Sequence, residues 1–180
     1  MQSVFQSASS VILTVALLLW GVCSSFAQGL PGGATSLNET HGDWTVACAT
    51  PEDNVWCAVS QVQINSENRQ RVLSVELTAM DGGNAASGTF VMPFGLALDQ
   101  GVVLSIGEGE PLAALRFSTC FPSGCLVPFS FDASMISIMR ASAALTIKAM
   151  ADGSGQELTL PVSLHGFSSA LARASELSEP

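Results

Sequence analysis

From Gly42 onward, apolar and polar positions alternate with a period of two. Trp44, Val46 and Cys48 fall on one side of the first such run, and Asp43, Thr45 and Ala47 on the other. Leu73, Val75, Leu77 and Ala79 alternate with Ser74, Glu76 and Thr78. Val102, Leu104 and Ile106 follow, then Leu115 and Phe117 against Arg116 and Ser118. Leu145, Ile147 and Ala149 interleave with Thr146 and Lys148, and Leu158, Leu160, Val162 and Leu164 close the series. Successive side chains of a strand point to opposite faces, so each run predicts a strand with one buried and one wet face, as in antiparallel sheets. Turn formers separate the runs: Asn68, Asp81-Gly82-Gly83-Asn84, Asp99-Gln100-Gly101, Gly107-Glu108-Gly109 and Asp152-Gly153-Ser154-Gly155. About eight to ten short strands with Gly-rich connections predict an all-β sandwich or barrel.

A helical period fits in two places only. Asp132 is placed to cap a short helix through Met135, Ile136 and Met139 to Arg140. Phe167 to Ala174 predicts a C-terminal helical turn. Before Gly42 the pattern is different. Residues 1–27 read as an export signal, with an apolar run from Val11 and small residues at Ser25 and Ala27, three and one before a mature start at Gln28. The segment MQSVFQSASS lacks the Lys or Arg expected ahead of such a run. The alternative is an uncleaved anchor, although Val11 to Ala27 is 17 residues long, just under the roughly 18–20 that span a bilayer. Residues 28–41 read as a flexible linker, 42–175 as the β-sandwich domain and 176–180 as a polar tail. Asn38-Glu39-Thr40 matches a glycosylation sequon, a three-residue pattern that arises often by chance.

Length and charge narrow the function classes. A chain of 180 residues, shortened by a signal, is one domain with room for a real core. Fifteen Asp and Glu against six Lys and Arg give a formal charge of −9. Such a surface repels phosphate backbones and anionic membranes, which argues against nucleic-acid binding. Hydrophobic residues at 48% with 12% charged argue against disorder.

Cys48, Cys57, Cys120 and Cys125 remain once Cys23 leaves with the signal, and an even number in an exported chain predicts disulfides. Four cysteines allow three connectivities. Cys120-Phe121-Pro122-Ser123-Gly124-Cys125 forms a tight turn whose feet oppose the two thiols. Cys48 and Cys57 flank a loop with Pro51, Asp53 and Asn54 as turn formers. The local pairing Cys48–Cys57 and Cys120–Cys125 is therefore expected. A crossed pairing and a four-cysteine zinc site are the rivals, and the wide spacing of Cys48 and Cys57 fits zinc poorly.

Sets with catalytic spacing are absent. His41 precedes the first strand and His165 follows Ser163-Leu164, but no G-x-S-x-G accompanies them. Glu108 and Glu110 are spaced as paired carboxylates, yet they sit in a Gly-rich turn that reads as a solvated hairpin tip. Trp44 and Trp56 flank the first cysteine hairpin and read as packing residues, with an exposed recognition aromatic as the alternative. Met80, Met92, Met135, Met139 and Met150 read as core filler. No cofactor or metal is predicted.

Several pieces together resemble the invasion-associated locus B family of exported alphaproteobacterial proteins. They are Gly42-Asp43-Trp44 leading to Cys48, Cys57 with Gln61 after it, Met92-Pro93-Phe94-Gly95-Leu96-Ala97-Leu98 before Gly101-Val102, Cys120 to Cys125, and Ser163-Leu164-His165-Gly166-Phe167. Phe94 departs from the aliphatic residue usual there. The resemblance implies an immunoglobulin-like antiparallel β-sandwich in the periplasm or at the cell surface, without known catalytic residues. The expected function is a non-enzymatic binding or accessory module contacting a protein or envelope component. A periplasmic hydrolase with scattered residues and a small-ligand carrier are the rivals.

Overall fold

The computed structural model describes residues 29–107 and 109–178. The signal segment and Glu108 lie outside the described residues. The strands are β1 (Ser36–His41), β2 (Trp44–Ala49), β3 (Trp56–Ile64), β4 (Arg71–Met80), β5 (Ala85–Met92), β6 (Val102–Ile106), β7 (Thr119–Phe121), β8 (Gly124–Phe131), β9 (Ala144–Met150) and β10 (Glu157–Ser163). The helices are α1 (Ala133–Ala141) and α2 (Phe167–Ser178). One sheet runs β1-β2-β3-β4-β5-β8-β7 and the other β10-β9-β6. Every strand pair is antiparallel. The expected all-β architecture of two antiparallel sheets with two short helices is present. Five successive strands form a meander, and β8 joins β5 after the chain has visited the smaller sheet.

The alternating apolar positions meet in one core. Trp44, Val46, Val59, Leu73, Val75, Leu77, Phe90 and Val127 from the large sheet join Val102, Leu104, Leu145, Ile147 and Val162 from the small one. The helix α2 lies over β2, β3 and β4. It buries Phe167, Ala170, Leu171 and Ala174, spaced to form one helical face. Asp132 caps α1, its carboxylate accepting from the Met135 amide at 2.9 Å. That bond and one from the Ser134 hydroxyl hold the Asp132 carboxyl below the usual range, the hydroxyl having the larger effect.

Three segments differ from expectation. The second half of the expected linker is β1, paired residue for residue with β2 from Ser36↔Ala49 to His41↔Trp44. Its sequence, SLNETH, has one apolar residue, so the pairing and not the pattern makes it a strand. Helix α2 continues through Ser178, into the expected polar tail. Leu115 and Phe117 do not form a strand; Leu115 makes an isolated bridge to Val102. The strand β5 carries small residues on both faces, which hides its alternation. Gly88 is required there: a Cβ would lie 2.2 Å from the Glu76 carbonyl and 2.7 Å from the Phe129 ring. The space it leaves lets Phe129 pack on Phe90 and Phe131, with centroids 4.3 and 4.5 Å apart.

Candidate functional site

Three motif pieces that are far apart in sequence converge on Ser163, the last residue of β10. The indole Nε1 of Trp44 donates to the Ser163 carbonyl at 2.9 Å. The buried Gln61 side chain grips the same residue twice, Nε2 donating to its carbonyl at 3.0 Å and Oε1 accepting its amide N–H at 3.2 Å. This is the bonding a neighbouring strand would supply, provided by one carboxamide. Gln63 extends it by donating from Nε2 to the Pro161 carbonyl at 2.5 Å. The Ser163 hydroxyl donates to Asp43 Oδ2 at 2.6 Å, and the Asp43 amide donates to the His165 carbonyl at 3.1 Å. Phe167, the first residue of α2, packs its ring 5.3 Å from that of Trp44. Gly166 has φ +85°, and a Cβ on it would lie 2.0 Å from the His41 carbonyl, so the two chain segments touch backbone to backbone.

An open cleft of about 570 Å³ lies over this junction, lined by Asp43, Gln61, Val62, Gln63, Pro161 and Ser163 among others. His165 stands beside it, 78% exposed, with Nδ1 3.8 Å from Asp43 Oδ2. Serine, aspartate and histidine are therefore neighbours, but in the wrong order. Nucleophilic catalysis needs the imidazole between hydroxyl and carboxylate, where it can take the hydroxyl proton. Here the carboxylate sits between the other two and itself accepts the serine proton. This geometry holds loops together; it does not activate Ser163. No group of three His, Cys, Asp or Glu side chains converges among the described residues.

A second junction joins the other two motif pieces. Met92 is paired with Cys125, and Cys125 with Cys120. A Cβ on Gly124 would meet the Met92 carbonyl at 2.5 Å, which explains the glycine next to this cysteine. The Arg71 guanidinium donates to the Ser123 carbonyl at the hairpin tip. A cleft of about 430 Å³ follows, lined by Arg71, Val91, Pro93, Phe94 and Pro122 among others. Phe94 and Phe121 are 62% and 54% exposed. The sulfurs of Cys48–Cys57 and Cys120–Cys125 are bonded, each pair joining residues directly opposed across a strand pair.

The outward face of the large sheet is the other distinctive surface. Its registers align Val62, Ser74, Val91, Leu126 and Thr119 in a row across β3, β4, β5, β8 and β7. The next row is Thr45, Ser60, Glu76, Thr89 and Pro128. Glu76 is the single charge in these two rows, although acidic residues crowd the rest of the chain. Trp56 belongs to the same outward face and is 50% exposed, whereas Trp44 is buried, so the two tryptophans have different roles. Sequence reasoning named Gln61 but missed Gln63, Arg71 and the Glu39–Arg173 pair. A polar residue at the inward position of β3, in step with Cys57 and Val59, was the available signal for Gln61 as a buried tie.

The family model described as "Invasion associated locus B (IalB) protein" matches residues 44–175. The chain belongs to the invasion-associated locus B family. An invasion protein B homolog of Brucella abortus (strain 2308) is 40% identical over 156 residues, covering 87% of this chain and 89% of the relative. Invasion protein B of Bartonella bacilliformis is 33% identical over 150 residues, covering 82% and 80%. The crystal structure of invasion associated protein b from Bartonella henselae superposes with a TM-score of 0.72 at 31% identity, covering 79% of this chain and 97% of that one. The matched region contains both junctions in full except His41, Gly42 and Asp43.

Proposed function

We propose that this invasion-associated locus B protein is an exported, non-enzymatic binding module of the bacterial envelope, and that it docks a partner protein on the outward face of its large sheet. The observation that carries the reading is the row Val62, Ser74, Val91, Leu126 and Thr119, an uncharged band on a chain of net charge −9. A contiguous weakly polar band on an otherwise acidic surface is a place where another protein can exclude water at little electrostatic cost. Two cystines favour an oxidising compartment, periplasm or cell surface. Both motif junctions are used up in holding loops and strands together, which leaves this face for contact.

The test is site-specific. A photo-crosslinking residue placed at Val62, which is 53% exposed, should capture a discrete partner in intact bacteria. The same residue at Glu157, at the start of β10, should not. Val62→Glu should abolish capture from a crosslinker at Thr119 while leaving the melting temperature unchanged. Equal capture from both positions, or capture insensitive to Val62→Glu, would refute the assignment. The hydrolase alternative has its own check. If His165→Ala removed an ester, peptide or glycoside turnover by more than about 100-fold with the fold intact, the non-enzymatic reading would fail.

A further inference from the structure

A β-protein can be joined by another chain at its sheet edges, where half the backbone groups of the last strand lack ladder partners. The two sheets end in β1, β7, β10 and β6. Three of these edges are guarded by the chain itself. The strand β7 is three residues long and is tied to β8 by Cys120–Cys125. Beside β6, Leu112 donates to the Leu104 carbonyl at 2.8 Å, and Val102 and Leu115 exchange both backbone bonds at 2.9 and 2.8 Å. On β10, Pro161 offers no N–H, and the carboxamides of Gln61 and Gln63 occupy the edge at Ser163 and Pro161.

Among the described residues, none guards the edge at β1. It contains neither proline nor lysine, and its register with β2 is unbroken over all six residues. The Thr50 amide donates to the Thr35 carbonyl, which fixes the phase of the ladder. Thr35, Leu37, Glu39 and His41 bond to β2, so Ser36, Asn38 and Thr40 turn their N–H and C=O groups to the free side. These three residues are exposed and uncharged. The one carboxylate of the strand, Glu39, is forked onto Arg173 at 2.9 and 3.0 Å.

We propose that β1 pairs antiparallel with β1 of a second copy, joining two seven-stranded sheets into one. Centred on Asn38, such a pairing sets Asn38 against its own copy and Ser36 against Thr40 in both directions. Each of the three pairs exchanges two N–H···O=C bonds, so the free groups of all three residues are used. A strand added from an unrelated protein draws its specificity from pockets for alternate side chains. Among the described residues, the clefts at the β3–β10 junction, at the Cys120–Cys125 hairpin and over β6, β9 and β10 are not lined by any residue of β1. What β1 offers is the backbone and a short uncharged face, which its own copy matches. Two molecules of charge −9 can meet there because the strand's carboxylate already has its arginine. This inference does not depend on the outward-face docking proposed above.

The experiment is sedimentation equilibrium on the protein purified as bacteria export it, from micromolar to millimolar concentration. A reversible dimer is expected, and it should tighten as salt rises and screens the net charge. Asn38→Pro removes an N–H that points to the free side and leaves the ladder to β2 intact. It should weaken the dimer roughly 100-fold, because the central pair loses both of its bonds, one N–H from each copy, and the ring obstructs the approach. A circular dichroism melt establishes that the variant is folded. Should it not fold, Asn38→Cys with a short bismaleimide gives the second reading: a covalent dimer is expected, whereas Ser154→Cys, on the distant β9–β10 turn, should give none. A chain monomeric at every concentration and salt overturns the proposal. So does a dimer unaffected by Asn38→Pro, or crosslinking as efficient at Ser154 as at Asn38.

Discussion

The Trp44 indole donates to the carbonyl oxygen of Ser163 at 2.9 Å, across 119 positions of sequence. The bond ties the first residue of β2 to the last of β10, and so ties the two sheets together at one point. Trp44→Phe keeps a ring against Phe167 and removes the donor. Gln61 remains on the same carbonyl, so that group keeps a partner. The expected loss is about 1–2 kcal/mol, from one hydrogen bond and the smaller ring. Urea unfolding with the slope unchanged is the measurement, and a variant as stable as the parent would show that the bond contributes nothing net.

Gly166→Ala should be far more damaging than its size suggests. The position has φ +85°, and the new methyl would collide with the His41 carbonyl at 2.0 Å. Backbone must move on both sides, because the obstacle is not a flexible side chain. A loss of more than about 3 kcal/mol is expected. Gly153→Ala, also at positive φ but with nothing within 4 Å, separates collision from backbone preference. It should cost only about 1 kcal/mol. Thermal unfolding of the two variants should therefore differ clearly, and equal melting temperatures would contradict the packing argument.

Peptide mapping without reductant should recover Cys48 joined to Cys57 and Cys120 joined to Cys125. A crossed peptide would contradict the register in which each pair faces across its own hairpin. Replacing Cys120 and Cys125 with serine should lower stability by about 2 kcal/mol, the chain-entropy value for a loop this short. The fold should survive, since β8 keeps its full pairing to β5.

Stability should have a component that fades in acid. Arg173 hydrogen bonds hold the Glu39 carboxyl below its usual range, with a smaller help from His41 and against some desolvation. A carboxylate with a depressed folded-state pKa contributes stability above its unfolded-state pKa, and loses it as pH falls through the folded-state value. Glu39→Gln should therefore be less stable than the parent at neutral pH and indistinguishable from it once both are titrated below that value. Melting temperatures of the two across acid to neutral pH make the comparison. Curves separated by a constant offset would show that the effect is steric and not ionic.

Much of this molecule could be read from local pattern. Alternation around Trp44, Leu73, Val102, Leu145 and Leu158 marked strands because a half-buried strand must alternate. Asp132 marked the start of α1 because a short carboxylate is suited to an exposed amide. The hairpin at Pro122 and Gly124 placed two cysteines opposite one another through geometry spanning six residues. All of these depend on neighbours in sequence, and a single chain displays them.

What the pattern did not hold was set by distant partners. β1 is a strand because β2 lies beside it, and SLNETH has too little apolar alternation to announce that. β5 has no clear alternation because Gly88 gives up its side chain to Phe129, a residue 41 positions away in another strand. The motifs around Asp43, Gln61 and Ser163 were visible as separate fragments, but only folding showed that they close on one backbone group. Folding also placed the aspartate between the serine and the histidine, an order that residue types alone leave open and in which the Ser163 hydroxyl donates to a carboxylate and not to an imidazole. The edge position of β1 is likewise a property of the assembled sheet: an edge exists only after every other strand has found its neighbour.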